Sequence, residues 1–541
     1  MKITRRQLLG AGLRLGVGAA AVGAMPRLLF ADQSTMSHEP LWSLQDTRVK
    51  ELALRAIDAA VSAGATYADA RLTHTKMRIF HYPSVEAIED REHVAVGVRA
   101  LLNGYWGFAS SPIWSPDEMA RLGREAVHQA RAMAVGPSST VHLANVPVVN
   151  DGHWTMPVEI DPFEVSPYEI CDYLAALVHF VRRFPGFNVL GNSCRFLVQE
   201  KAFASSEGSY CTQRLYRSEG EFGVRFETPE EVTVIGALDV LSPAGVGWEL
   251  YKGQDIRDHI RRLMEELKED AALPTKPVEV GRYEIVCDAQ SVARLADHTL
   301  GLATQLDRAL GQEANASGTS FLDAPLEMVG NYEIGAPLLT LTANRTERGG
   351  AGTVAWDDEG VPADEFTLVH EGVLRDFQTT RESAGWLAEY YAQMGEPVRS
   401  HGCAAAPTAV EAPLAHTPNL RVAPGEEAGG LDGVLAGVQE GLLVKDMRVD
   451  MDFQGLSGLG MGGRVYEVKR GRRVARILGA GILFTTTELW KRLAALGGRD
   501  GLRTYGMRSS KGEPVQRTYH SVTAPPAVFE DVALVELGRR A

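Results

Sequence analysis

Asp297 and His298 are the side chains of this chain best typed for hydrolytic chemistry. They open the stretch DHTLGLATQLDRALGQEANASGTS, residues 297–320. Metal-assisted hydrolysis needs three protein ligands, an open position for water and a base for its proton. Asp297 can ligate through oxygen, but on a helix His298 diverges from it by about 100°, a poor chelate. One turn further lie Gly301 and Leu302, which offer no donor, and only His298 could serve as base. Other groupings carry less. His370-Glu371 is followed by Leu374, where a helical HExxH site needs a second histidine, and its surroundings predict a hairpin with an exposed turn. Gly458-x-Gly460-x-x-Gly463 precedes a strand instead of following one into a helix, which predicts a flexible glycine loop and no phosphate cradle. Asp357-Asp358-Glu359 lacks the rest of a calcium loop and reads as a solvated turn. No GxSxG nucleophile elbow occurs.

The elements that must position Asp297 and His298 are legible around them. Asp288 is placed to cap a helix, its carboxylate accepting from first-turn N–H groups. Val292, Leu295, Ala296, Thr299, Leu302, Ala303, Leu306 and Leu310 recur at helical spacing and form one buried face. Upstream, helices are predicted over 49–63, 116–134, 167–183 and 253–271. Strands are predicted at 67–72, 77–82, 94–102, 189–203, 210–216 and 221–227, with Asn103-Gly104 as a hairpin turn. Pro274-Thr275-Lys276-Pro277 reads as a linker. Beyond Phe321, short β-type runs alternate with turns, the pattern of a barrel-like or sandwich domain.

At 541 residues the chain is too long for a single core. Its net charge of −14 argues against nucleic acid or an anionic membrane surface as partner. No later apolar run reaches membrane-spanning length. Near the N-terminus, Arg5-Arg6 precedes a glycine- and alanine-rich apolar stretch to Ala24, with cleavage options near Ala24 and Ala31. This is the pattern of a twin-arginine export signal, which places the protein in the periplasm or another extracytoplasmic space. Loss of residues 1–31 removes five basic residues and no acid, taking the net charge to −19. The five cysteines show no CxxC pair; one bridge across a hairpin, Cys194–Cys211, stays open.

Residues 297–320 resemble the signature of the TldD/PmbA metallopeptidase family, HExxGHxTELDRALGxEAN. The shared frame is Gly301, Thr304, Leu306–Gly311, Glu313–Asn315 and Gly318–Ser320. Further landmarks are Ala63-Gly64-Ala65-x-Tyr67-Ala68-Asp69-x-Arg71, Gly104-x-Trp106-Gly107-Phe108, Ser205–Gly208 and Asp357–Val361. The resemblance implies zinc held by two helix histidines and a downstream cysteine, with a glutamate as base. At those places this chain carries Asp297, Leu302 and Ser509, with His298 at the base position. The expectation is therefore a zinc-less member, with no metal and no cofactor. It would bind unfolded peptide, or complete the site of a zinc-bearing subunit or of a second copy, without a membrane anchor. The alternative is a hydrolase rearranged around Asp297 and His298. The expected fold is α+β: signal 1–31, N-terminal α/β domain 32–136, central α+β segment 137–272, and β-rich C-terminal domain 273–541 bearing the degenerate helix.

Overall fold

The computed structural model describes residues 46–82, 88–134, 141–230, 232–253, 255–426 and 429–538. The twin-arginine stretch lies outside them. Helix α1 (Thr47–Ser62) is capped by Asp46, whose carboxylate accepts from Arg48 N at 3.0 Å. Strands β1 (Tyr67–His81), β2 (Glu89–Leu102) and β3 (Tyr105–Ser111) follow, then helix α2 (Pro116–Met133). The β2–β3 turn uses Asn103 and Gly104 at φ of 53° and 82°, as a primed two-residue turn demands. The two helices bury Val49, Leu52 and Ala56 against Met119, Leu122 and Ala126. They approach so closely at Gly123 that a Cβ there would meet Ala56 O at 2.2 Å.

After the short strand β4 (Gly152–Thr155) and helix α3 (Pro167–Val181) come two long strands, β5 (Phe187–Ser205) and β6 (Tyr210–Glu227). Strand β7 (Thr233–Ala237) pairs with β6, and helix α4 spans Ile256–Ala272. These strands make one seven-stranded sheet in the order β3-β2-β1-β5-β6-β4, with β7 beside β6. The sheet thus draws strands from both sides of residue 136. Where alternation predicts two strands in 67–82 and two in 210–227, the structure has one unbroken strand each time. Cross-strand pairing along the whole length overrides the local dips in β-propensity. The β5–β6 register pairs Cys194 with Gly220 and Cys211 with Phe203, so those thiols sit at different heights and all five cysteines are free.

Thr275–Lys276, inside the expected linker, forms a two-residue strand β8 beside Arg472–Ile477. From β9 (Gly281–Cys287) onward the chain is β-rich, with a ten-stranded and a six-stranded sheet. Their shared core holds Ile285, Val292, Leu300, Leu420, Val522 and Phe529. Fold class is thus α+β, with an antiparallel N-terminal sheet and a curled β-rich C-terminal part. His370 and Glu371 form the exposed hairpin turn that their surroundings predict, with Glu371 at φ 49°. Gly458 and Gly460, by contrast, lie inside a strand, Ser457–Met461. They are small because Phe484, Met451 and Met447 fill the space where a Cβ would stand.

Asp357, Asp358 and Glu359 are not a solvated turn. They are 3%, 6% and 4% exposed, and every carboxylate oxygen has a donor. Asp357 accepts from the backbone N–H groups of Glu359, Val361 and Ala404. Asp358 takes both contacts of Lys201 Nζ, at 3.0 and 2.8 Å, and Ala406 N. Glu359 takes Arg99 and Arg381 N. No oxygen is left over for calcium. Burial first, then the neighbouring Glu359, push the Asp357 carboxyl up to about 7.

His401 is fully buried between Asp364 and Asp376, each 2.9 Å from a ring nitrogen, and it stacks on Phe366. Both nitrogens therefore donate, which requires the imidazolium. Burial opposes that charge, but the two carboxylates outweigh it and raise the His401 pKa; Asp364, opposed by burial but favoured by His401 and Arg399, is lowered. A raised native pKa stabilises fully below the unfolded value of about 6.5 and fades as pH climbs through the native one. The urea midpoint of wild type should therefore exceed that of His401→Gln most at about pH 6, and the gap should shrink towards about pH 9. A gap unchanged across that range contradicts the charged form.

Candidate functional site

The site is built on helix α5 (Ala289–Leu295) and its continuation. Asp288 caps it, accepting from Ser291 N at 2.9 Å, and burial and Asp446 push this carboxyl up to about 6. At Ala296–Gly301 the helix widens into an i→i+5 turn, in which Leu302 N–H bonds the carbonyl of Asp297. Such wide turns are rare and concentrate at functional sites. Ideal α-geometry sets positions five apart about 140° from each other. In the wide turn the side chains of Asp297 and Leu302 still part: Leu302 lines a cavity beside His298, and Asp297 faces His520.

Side chains take up the carbonyls the widening disturbs. Thr299 Oγ1 bonds Leu295 O at 2.6 Å, Thr304 Oγ1 bonds Leu300 O at 2.8 Å, and Gln378 Nε2 bonds Gly301 O at 2.6 Å. Trp490 Nε1 holds Thr299 Oγ1 at 2.8 Å. These residues are buried, so the widened turn is locked from several elements at once.

Asp297 and His298 stay in contact but face different neighbours. Asp297 is 6% exposed and its Oδ1 lies 2.8 Å from Nε2 of His520, a wholly buried residue on the strand Gln516–Ala524. Burial works against its charge, yet the His520 ring, with His298 and Arg294, holds the carboxyl below its ordinary range. His298 turns outward: its Nδ1–H donates to Arg294 O at 3.0 Å, and Asp297 Oδ2 is 3.5 Å away. Its ring lines a cavity of about 300 Å³ with Leu302, Arg308, Thr319, Asp450 and Asp452.

Ser509 stands on the strand Arg503–Lys511, paired with Thr518. Its Oγ is buried with no hydrogen-bond partner among the described residues. Cys403 belongs to another corner: burial pushes its thiol up to about 12, and the sulfur points to His401 O. Zinc would ask for three donors, and the residues present do not fit it. Asp297 is already bonded to His520, Leu302 is a hydrocarbon and Ser509 is a neutral hydroxyl. Among the described residues no three of His, Cys, Asp and Glu are grouped to hold a metal.

Three more participants join the site; His520 and His416 carry no signal of their own in the sequence, whereas Lys511 belongs to the stretch 509–516, SSKGEPVQ, which resembles the family's tail pattern. His520 lies 223 residues from Asp297. His416, bonded through Nδ1 to Thr518 Oγ1 at 2.9 Å, is pushed down to about 3 by burial and by Lys511 and Arg345, and so is neutral. Lys511 Nζ meets both oxygens of Asp307 at 2.7 Å, tying the strand to the frame of the helix motif. For His520 the sequence offers only the alternation Gln516, Thr518, His520, which puts polar residues on one strand face.

Comparison with known proteins agrees with this geometry. Residues 280–536 match the PmbA/TldA metallopeptidase C-terminal domain, and residues 84–130 match PmbA/TldA metallopeptidase domain 1. A metalloprotease of Methanocaldococcus jannaschii is 22% identical over 73% of this chain and 81% of its own. One from Methanothermobacter thermautotrophicus is 27% identical over 53% of this chain and 58% of its own. The solved structure of TldE from Thermococcus kodakarensis superposes with a TM-score of 0.69 over 90% of this chain and 100% of its own, at 13% identity. A putative modulator of DNA gyrase from Bacteroides thetaiotaomicron superposes at 0.67 over 90% of this chain and 99% of its own, at 16% identity. Those two likenesses speak for the fold. With the domain matches and the motif frame, they place the chain in the PmbA/TldD metallopeptidase family.

Proposed function

We propose that this protein is a non-catalytic, zinc-less subunit of an exported PmbA/TldD-type peptidase assembly. It binds unfolded peptide or completes the site of a zinc-bearing relative, or of a second copy, instead of cleaving peptide itself. The observation that carries this reading is the state of Asp297, the residue at the first ligand position. It is buried and bonded to His520, with no donor at Leu302 and only a hydroxyl at Ser509. The helix widens into an i→i+5 turn around it, a feature that concentrates at functional sites, which supports a scaffold kept without its metal. The net charge of −14 supports a peptide over a nucleic-acid ligand. Among the described residues no helix is long and apolar enough to cross a membrane. The arginine pair Arg5-Arg6 supports export to the periplasm or an equivalent space.

Protein recovered from the exported fraction through a C-terminal tag tests this directly. It should hold no stoichiometric zinc by elemental analysis, cleave no unfolded peptide on its own, and bring down a related chain or a second copy. Bound zinc together with chelator-sensitive cleavage would sink the proposal.

A further inference from the structure

The positions that the family resemblance assigns to metal ligands lie on two elements. Asp297 and Leu302 are on the widened helix, and Ser509 is on the strand Arg503–Lys511. A metal there would cross-link helix and hairpin. In this chain the same two elements are joined without one. His520 sits on Gln516–Ala524, the strand paired with the one that bears Ser509. The register sets Ser509 opposite Thr518 and Met507 opposite His520. Cross-strand partners and residues two apart share a sheet face, so Ser509 and His520 point to the same side, one pair apart. From there the His520 ring reaches Asp297 Oδ1 at 2.8 Å and is itself wholly buried.

We propose that the His520 side chain has taken over the metal's structural task, joining the widened helix to the hairpin through Asp297 and filling the space a zinc ion would need. Two observations fit beside the bond. Ser509 Oγ, at the place of the third ligand, is left with nothing to bind among the described residues. Asp297 is also closed off from solvent, at 6% exposed. This inference rests on the metal-free reading above but makes a separate claim, that restoring the motif alone does not restore the metal.

Two measurements test it. First, Asp297→His, His298→Glu, Leu302→His and Ser509→Cys are combined, once with His520 kept and once with His520→Ala. Each protein is loaded with zinc, dialysed and analysed. The expected result is about one zinc per chain only in the protein lacking His520. Full zinc binding with His520 present overturns the proposal, and so does its absence from both. Second, in the unaltered background, Asp297→Ala, His520→Ala and their double variant are unfolded in urea. The expected double loss is no larger than the greater single loss, since one bond is broken in each case. Additive losses overturn the cross-link. Zinc found in the unaltered protein would sink the proposed function instead, so the two failures are told apart.

Discussion

Lys511→Met should lower the free energy of unfolding by about 3–5 kcal/mol, the usual cost of stripping a buried ion pair of one partner. Lys511 is 2% exposed, and its ammonium meets Asp307 twice, Gln305 Oε1 at 2.9 Å and Ala415 O at 2.7 Å. Methionine matches the length of the stem but donates nothing. It leaves the Asp307 carboxylate, 7% exposed, with its charge uncompensated, and two more acceptors bare. Burial pulls the Lys511 pKa down against the attraction of Asp307. Chemical unfolding measures the loss. Adding Asp307→Asn to Lys511→Met should recover part of it, because the orphaned charge is then gone. A loss below about 1 kcal/mol would show the pair to be no more than a surface-like bridge. The pair also braces the Leu306–Gly311 segment against the strand that carries Lys511.

Arg99→Met should cost at least as much, about 3–5 kcal/mol, because it orphans two carboxylates together. Arg99 lies opposite Asp69 in the β1–β2 register and bonds it through Nε and Nη2, the latter at 2.6 Å. Its Nη1 reaches Glu359 at 3.1 Å, and its plane rests over the Trp106 ring. Asp69 is fully buried and Glu359 nearly so. Burial disfavours the guanidinium charge, but Asp69 and Glu359 outweigh it and raise the Arg99 pKa, so the cation persists at any pH the fold survives. Arg99→Lys should lose less than Arg99→Met yet still fall short of wild type, since a point-charge ammonium cannot reproduce the planar two-pronged bond to Asp69. Equal stability of Arg99→Lys and wild type in urea would contradict the bidentate role. The same contact is a seam: it joins the N-terminal sheet to the Asp357–Glu359 turn of the C-terminal part.

Local features are legible in the amino-acid sequence alone. The Asp288 cap, the Asn103-Gly104 turn, the exposed His370-Glu371 hairpin and the four upstream helices depend on neighbours a few residues away, whereas the apolar face read as one helix to Leu310 breaks at the extended Gln305. Short-range rules suffice for the former. The departures share one cause. The Asp357–Glu359 acids look hydrated because nothing nearby pairs them; Lys201 and Arg99 arrive from 157 and 260 residues away. The glycines at 458 and 460 look like a loop until Phe484 and Met447 are packed against them. The split strands in 67–82 and 210–227 look interrupted until long partners align beside them.

For the site, the chain's own letters determine the negative half: Asp297, Leu302 and Ser509 are a poor donor set wherever the fold puts them, because ligand chemistry belongs to side-chain type. The widening of the helix at 296–301 is not among the things those letters determine, since without a ligand pair nothing in them forbids a plain α-helix. Only the tertiary structure decided what stands against Asp297. The wide turn at 296–301 needs Gln378, Thr304 and Trp490 to hold it, and Asp297 needs His520 from a strand more than two hundred residues later. Such pairings follow from sheet register and burial, which no window of sequence contains.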